Sequence, residues 1–266
     1  MAPRQLASLA SESASRIARN RGTCSASTAS NANAPSPLAS SRGRITGSGD
    51  PVLLLNGLNR PMQSCASFGD ALRGRTVITL DVPGVGASET PVVYSMAMLS
   101  DIAVRVLDEF GVATADVVGF SFGGAVAPQI AFGHPSRVNR LVLLATSCGV
   151  GSVPGRAHDV TRILLRPNDG TRWAQPDPLG LLWQIAAIST WSSIGDLGHI
   201  EAPTLIVCGA GDKAVPPAKS RILAARIPDA RLVTIQAGHD LQKPGPAAVV
   251  AQLVGQFLDV RTPMAS

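Results

Sequence analysis

The sequence predicts an α/β protein, with a mostly parallel central sheet flanked by helices. Two observations carry that expectation. Short apolar, β-branched runs alternate with longer segments of helical period, the pattern of strands joined through helical crossovers. A glycine-flanked serine, Gly119-Phe120-Ser121-Phe122-Gly123, lies directly between one such run and the next helical segment. With 266 residues, 45% of them hydrophobic and 15% charged, the chain has apolar material for one large domain or two small ones.

The strands are expected at Val52–Leu55, Thr76–Leu80, Asp116–Gly119, Arg140–Ala145, Thr204–Cys208 and Arg231–Ile235. Each is a short apolar run bounded by turn residues. Helices fit between them at about Met96–Phe110, Gly123–Phe132, Pro217–Arg226 and Ala247–Leu258. The third opens on a proline, which the first helical position tolerates because its missing N–H has no partner there anyway. The alternation fails at about 149–200, where Pro154, Pro167, Pro176, Pro178 and several glycines interrupt short helical stretches. An insertion between two strands of such a sheet sits at one end of it, so this segment is read as a small cap within a domain spanning 44–262.

Residues 1–43 hold ten Ser, ten Ala and no aromatic residue, too little apolar area to offset the entropy of ordering. A disordered tail is expected. Its Arg- and Ser-rich, acid-poor makeup is like that of an organelle transit peptide, but an extension dispensable to the fold, or a start codon assigned too early, is the preferred reading. The tail also explains the net charge of +5. Five arginines against the single acid Glu12 lie within it, and the remainder is near balance. The body has no basic cluster with interleaved aromatics, which argues against nucleic acid as a partner. No apolar run reaches the length of a membrane span. Cys24, Cys65, Cys148 and Cys208 show neither CxxC nor Cys/His spacing. Free thiols in a reducing compartment are therefore expected, with no metal site.

A serine on a sharp strand-to-helix turn needs glycine on both sides so that neighbouring backbone can approach. Such a turn lifts the hydroxyl above the sheet, and the following helix N-terminus places a positive partial charge beneath it. Ser121 is therefore the expected nucleophile. Its base must come from four histidines. His134 lies thirteen residues along the helix, about 20 Å away at ~1.5 Å per residue. His158 falls in the cap, and His199 precedes a strand and so sits at the wrong end of the sheet. His239 follows the last strand at the correct end and is the expected base. Asp212, right after the strand Thr204–Cys208, is the expected orienting acid. No acid follows the preceding strand, which ends in Ala145-Thr146-Ser147-Cys148. Asp240 is read as a solvated loop carboxylate and Asp81 as structural. The backbone N–H groups of Phe122 and Leu58 are the expected oxyanion donors.

The order Ser121, Asp212, His239 is that of the α/β-hydrolases. Within that superfamily the chain resembles intracellular medium-chain-length poly(3-hydroxyalkanoate) depolymerases. The matching stretches are Leu53-Leu54-Leu55-Asn56-Gly57, Asp81-Val82-Pro83-Gly84-Val85-Gly86, the serine turn, Leu144-Ala145-Thr146-Ser147 and Val153-Pro154-Gly155. They continue through Trp183-Gln184, Trp191, Pro203-Thr204-Leu205 and Arg226-Ile227-Pro228. The chain departs from that family at Phe122, where Trp is usual, and in a shortened cap between Arg166 and Leu181. Asn56 stands where many relatives carry His, and either enters the substrate pocket or braces its loop. Trp173, Trp183 and Trp191, with Phe120 and Phe122, either line an apolar acyl pocket or fill the core of the cap.

The resulting expectation is an α/β-hydrolase fold with a small cap, acting as a serine ester hydrolase through an acyl-enzyme without metal or organic cofactor. The resemblance implies a small-molecule or polymeric 3-hydroxyacyl ester as substrate, and a cytoplasmic enzyme working at a storage-granule surface. The alternatives are a lactonase, a carbon-carbon hydrolase, a general esterase, an acyltransferase, or a non-catalytic granule-associated protein of the same fold. The sequence carries no signal of oligomeric state.

Overall fold

The computed structural model describes residues 42–86, 88–89, 93–150 and 177–260. Among them seven strands form one sheet: β1 (Arg42–Gly47), β2 (Asp50–Leu55), β3 (Arg75–Asp81), β4 (Ala115–Phe120), β5 (Val138–Leu144), β6 (Thr204–Gly209) and β7 (Ala230–Ile235). Their order is β1-β3-β2-β4-β5-β6-β7. β1 is antiparallel to β3, and the remaining neighbours are parallel. The helices are α1 (Ala66–Ala71), α2 (Met96–Glu109), α3 (Phe122–Gly133), α4 (Pro178–Ser189), α5 (Pro217–Arg226) and α6 (Pro246–Leu258).

The central strands read as continuous apolar runs because both faces of the sheet are covered. Side chains alternate between faces along a strand, so Leu53, Leu55, Val117, Leu141, Leu143 and Ile206 pack on the side of α2 and α3. Val52, Leu54, Val118, Phe120, Val142, Leu144 and Val207 turn to the other side, beneath α1 and α6. The strand order reverses at β2, which has β3 on one side and β4 on the other. Crossovers diverge there and leave a crevice beyond the carboxyl ends of β2 and β4.

One boundary differs from expectation. Arg42 and Gly43, assigned above to the tail, belong to β1, which pairs with β3 from Arg42↔Asp81 to Gly47↔Thr76. An edge strand whose only large apolar residue is Ile45 carries little alternation to read, and its order comes from backbone pairing with β3. The cap contributes the twelve-residue helix α4, opened by the Asp177 side chain accepting from Leu179 N–H at 2.9 Å and by Pro178 at its first position. Residues 1–41 and residues 151–176 of the expected cap, including His158, Trp173 and Val153-Pro154-Gly155, lie outside the described residues. Among the described residues no helix is long and apolar enough to cross a membrane.

At the amino ends of the strands, Arg75 bridges Asp116 of β4 at 3.3 Å and Asp259, just past α6, at 2.5 Å. Burial raises the Asp116 carboxyl to about 6, with Arg75 and then Arg140 opposing the rise. A carboxyl raised on folding takes up its proton in the native state first. Its contribution to stability therefore grows as pH falls through about 6 and is complete near the unfolded value, about 4. The expected result for Asp116→Asn is a melting temperature whose offset from wild type falls by about a few degrees between pH 7.5 and pH 5. Thermal melts at the two pH values check it, and an offset independent of pH would contradict it.

Candidate active site

Ser121 sits between β4 and α3 with φ 52° and ψ −110°, a conformation costly for a residue with a Cβ and sustained here by its surroundings. Its N–H donates to Leu144 O at 2.8 Å, and its carbonyl accepts from Thr146 Oγ1 at 2.7 Å. The flanking glycines are required by contact. A Cβ on Gly119 would stand 2.4 Å from Gly123 O, and one on Gly123 would stand 2.4 Å from Leu55 O. The turn is thus pressed against the end of β2 by backbone alone.

Three loops at the carboxyl ends of the strands bring the remaining groups together. His239 Nε2 is 3.0 Å from Ser121 Oγ, and His239 Nδ1 is 2.8 Å from Asp212 Oδ2. The second carboxylate oxygen of Asp212 accepts from Ala214 N–H at 3.0 Å and Val215 N–H at 2.8 Å. Asp212 is buried, so its charge is compensated by fixed donors rather than by water. Ser121, His239 and Asp212, predicted from spacing alone, are therefore placed in one hydrogen-bonded chain. His134 instead pairs with Asp101 on the surface at 2.9 Å, and His199 lies in a short turn before β6, at the amino end of the sheet.

The loop after β2 is held from several directions. Asn56 Nδ2 donates to Pro61 O at 2.9 Å and to Ser64 Oγ at 2.7 Å, while its Oδ1 accepts from Gly57 N–H at 2.9 Å. Its polar atoms are committed to the loop, which corrects its expected place in the substrate pocket. Asp81 fastens the same segment by accepting from Met62 N–H at 2.6 Å. Gly123 N–H donates to Asn56 O at 2.9 Å, tying the loop that carries Leu58 to the turn that carries Phe122. Phe122 is the first residue of α3, so its N–H is one of the first-turn donors that a helix cannot satisfy itself.

Phe120 is also corrected as a pocket residue. It shares the face of Val118 beneath α1 and α6, is 1% exposed, and sets its ring 5.4 Å from that of His239. Strand alternation turns it away from the side on which Trp183 of α4 and Trp191 pack. Trp183 and Trp191 are half-buried and pack against that other core. Trp191 also donates from Nε1 to Gln129 Oε1 of α3 at 3.0 Å.

Sequence reasoning missed three neighbours of the site. Asp240 was expected to be solvated, yet its carboxylate meets Arg60 at 2.8 Å and Lys243 at 3.4 Å. Gln184 of α4 is buried and accepts from Asn59 N–H at 2.8 Å, joining cap to loop; its presence in the Trp183-Gln184 stretch was the one available signal. Lys219 of α5 lies within electrostatic range of Asp212, and burial lowers its pKa. Cys65, Cys148 and Cys208 are free and buried. Burial pushes the Cys65 thiol up to about 12, so it stays protonated and is a poor nucleophile. Among the described residues no cluster of His, Cys, Asp and Glu is arranged to hold a metal ion.

Residues 50–176 match the alpha/beta hydrolase fold family. Over 242 residues, 78% of this chain and 84% of the relative, the sequence is 34% identical to a poly(3-hydroxyalkanoate) depolymerase of Ectopseudomonas oleovorans. It is 32% identical over 249 residues to a 2-hydroxymuconate semialdehyde hydrolase of Pseudomonas putida, covering 80% of this chain and 88% of that protein. The crystal structure of a hydrolase from Pseudomonas aeruginosa PA01 superposes with a TM-score of 0.75 at 24% identity, covering 91% of this chain and 99% of that one.

Proposed function

The chain belongs to the alpha/beta hydrolase family and is an enzyme of the hydrolase class, and from that premise we propose that it is a serine ester hydrolase acting on 3-hydroxyacyl esters. The observation that carries the proposal is the chain from Ser121 Oγ to His239 Nε2 at 3.0 Å and from His239 Nδ1 to Asp212 Oδ2 at 2.8 Å.

Ser121 Oγ attacks the ester carbonyl while His239 Nε2 takes the hydroxyl proton. The carbonyl oxygen becomes an oxyanion, held by the N–H groups of Phe122 and Leu58. The imidazolium formed is stabilised by Asp212 and gives its proton to the departing alkoxide, leaving an acyl-enzyme. Water then attacks with His239 as base, and the carboxylic acid leaves as Ser121 recovers its proton. Asp212 stays fixed throughout, because two backbone N–H groups and the imidazole satisfy its oxygens.

The substrate class is supported by the relative named as a depolymerase of poly(3-hydroxyalkanoate), and that likeness also motivates a cytoplasmic enzyme at a granule surface. A carbon-carbon hydrolase is the second reading, motivated by the relative of Pseudomonas putida. Charge favours the ester. Arg60, the cation of the loop carrying Leu58, is paired with Asp240 at 2.8 Å, which partly neutralises it toward a carboxylate-bearing substrate. A panel of 3-hydroxyacyl oligomers, short acyl esters, lactones and a ring-cleavage dienone tests the proposal on purified protein. The expected result is the highest kcat/KM on the 3-hydroxyacyl esters; a higher value on the dienone would overturn it.

The apolar side of α4 is the proposed wall for the acyl chain. Trp183→Ala should lower the ratio of kcat/KM for a long acyl ester to that for an acetyl ester, because each buried methylene is worth about 0.8 kcal/mol. Trp191→Ala should lower the melting temperature and reduce all esters alike, since its indole is bound to α3 through Gln129. An acyl series on both variants checks this. A length-independent loss for Trp183→Ala would remove that residue from the pocket.

A further inference from the structure

We infer that Arg60 and Asp240 form a positioning pair for the proposed hydrolysis, holding the histidine loop against the oxyanion loop and cancelling charge beside the imidazole. The inference rests on the serine-hydrolase reading of the site.

Arg60 is built into the loop that carries Leu58. Its N–H donates to Gly57 O at 3.2 Å, and its carbonyl faces Asn56 Nδ2 at 3.4 Å. Its guanidinium reaches Asp240, the residue after His239, at 2.8 Å across 180 positions of sequence. The same guanidinium lies over the ring of Phe120, the residue before Ser121, at 5.6 Å, and that ring leans on His239. One residue therefore joins the oxyanion loop through its backbone to the approach to the nucleophile and the histidine loop through its guanidinium. The two side chains keep only 15% and 20% of their exposure, so the pair is screened far less than a surface ion pair of small value.

The charges matter as much as the contact. Asp212 meets the imidazole on Nδ1, and Asp240, the next residue, acts on it electrostatically while itself paired with Arg60 from the loop after β2 and Lys243 from its own loop; Lys219 of α5 acts on Asp212. Burial alone would raise the Asp240 carboxyl, but the attraction of Arg60, then Lys243 and His239, outweighs it and holds Asp240 below the ordinary range. Asp240 without Arg60 would favour the imidazolium and delay its use as a base. Arg60 without Asp240 would disfavour the imidazolium that the reaction must form. Paired, the two effects offset each other.

The test is the pH profile of kcat/KM for a short p-nitrophenyl ester, measured on the full chain and on Arg60→Gln, Asp240→Asn, the double variant and Arg60→Lys. The acid limb should move to higher pH in Arg60→Gln and to lower pH in Asp240→Asn, each by about half a unit or more, and return close to wild type in the double variant. Arg60→Gln should lower kcat about tenfold with KM for the small ester little changed. Arg60→Lys should keep the wild-type limb but recover only part of kcat, because an ammonium lacks the planar fork. A loss of folded protein that is independent of pH scales the profile without moving its limb, and melting curves across the same pH range verify that each variant is folded where the limb is read. Limbs that stay in place in both single variants, or move the same way, would overturn the inference while Ser121-dependent hydrolysis persists. A full chain with no Ser121-dependent hydrolysis is a different result, which would overturn the hydrolase reading and the inference together.

Discussion

Ser121→Ala is expected to lower kcat for ester hydrolysis by about 10⁴-fold or more and to leave the melting temperature close to wild type. The loss is large because the two hydrogen bonds from Ser121 through His239 to Asp212 act on a single proton, the one on the serine hydroxyl. Without that oxygen no acyl-enzyme forms, and the remaining oxyanion donors can only assist attack by water. Stability should be spared because alanine keeps the Cβ and meets the same positive φ of 52° that serine already tolerates. Steady-state kinetics and a thermal melt check both halves. Residual hydrolysis within about tenfold of wild type would place the nucleophile elsewhere.

Asp212→Asn should cost about 10⁴-fold in kcat with the fold intact. The reason lies in the donors around the carboxylate. Ala214 and Val215 present N–H groups to Oδ1 at 3.0 and 2.8 Å. An asparagine must offer its carbonyl oxygen to them, which leaves its NH₂ facing His239 Nδ1. Imidazole then accepts on Nδ1 and carries its proton on Nε2, where it cannot take one from Ser121. Asp212→Ala should lose less through the tautomer but more through the two orphaned N–H groups, and should therefore melt lower than Asp212→Asn. Kinetics of the two variants beside their melting curves check this. An Asp212→Asn enzyme within about tenfold of wild type would show that Asp212 does not set the tautomer.

The sheet was legible because strands buried on both faces, such as Leu53-Leu54-Leu55 and Leu141-Val142-Leu143-Leu144, leave unbroken apolar runs. Their ends were legible to within a residue or two. β1 was not, since Arg42-Gly43-Arg44 has no apolar alternation and its order comes from backbone pairing with β3. α1 escaped for a similar reason: six residues are too few to display a helical period, and its place is set by Phe68 and the contact with α6. In the site, Ser121, Asp212 and His239 could be placed because each follows a strand directly, so strand ends fix where they emerge. Asp240 also follows a strand, but its partner Arg60 lies on another loop, and no local pattern reports a pairing across 180 positions. The same holds for Gln184 and Asn59. Phe120 was misplaced by treating proximity in sequence as proximity in space. One step along a strand reverses the face, and Phe120 joins the layer opposite the cap.

The most direct measurement of the central claim is the intact mass of the protein quenched with acid during turnover of a p-nitrophenyl 3-hydroxyacyl ester, followed by peptide mapping. The proposed chemistry predicts a species heavier by one 3-hydroxyacyl group, with the added mass on the peptide containing Ser121 and absent from Ser121→Ala. An acyl group mapped to any other residue, or the same acylated fraction in Ser121→Ala as in wild type, would contradict it.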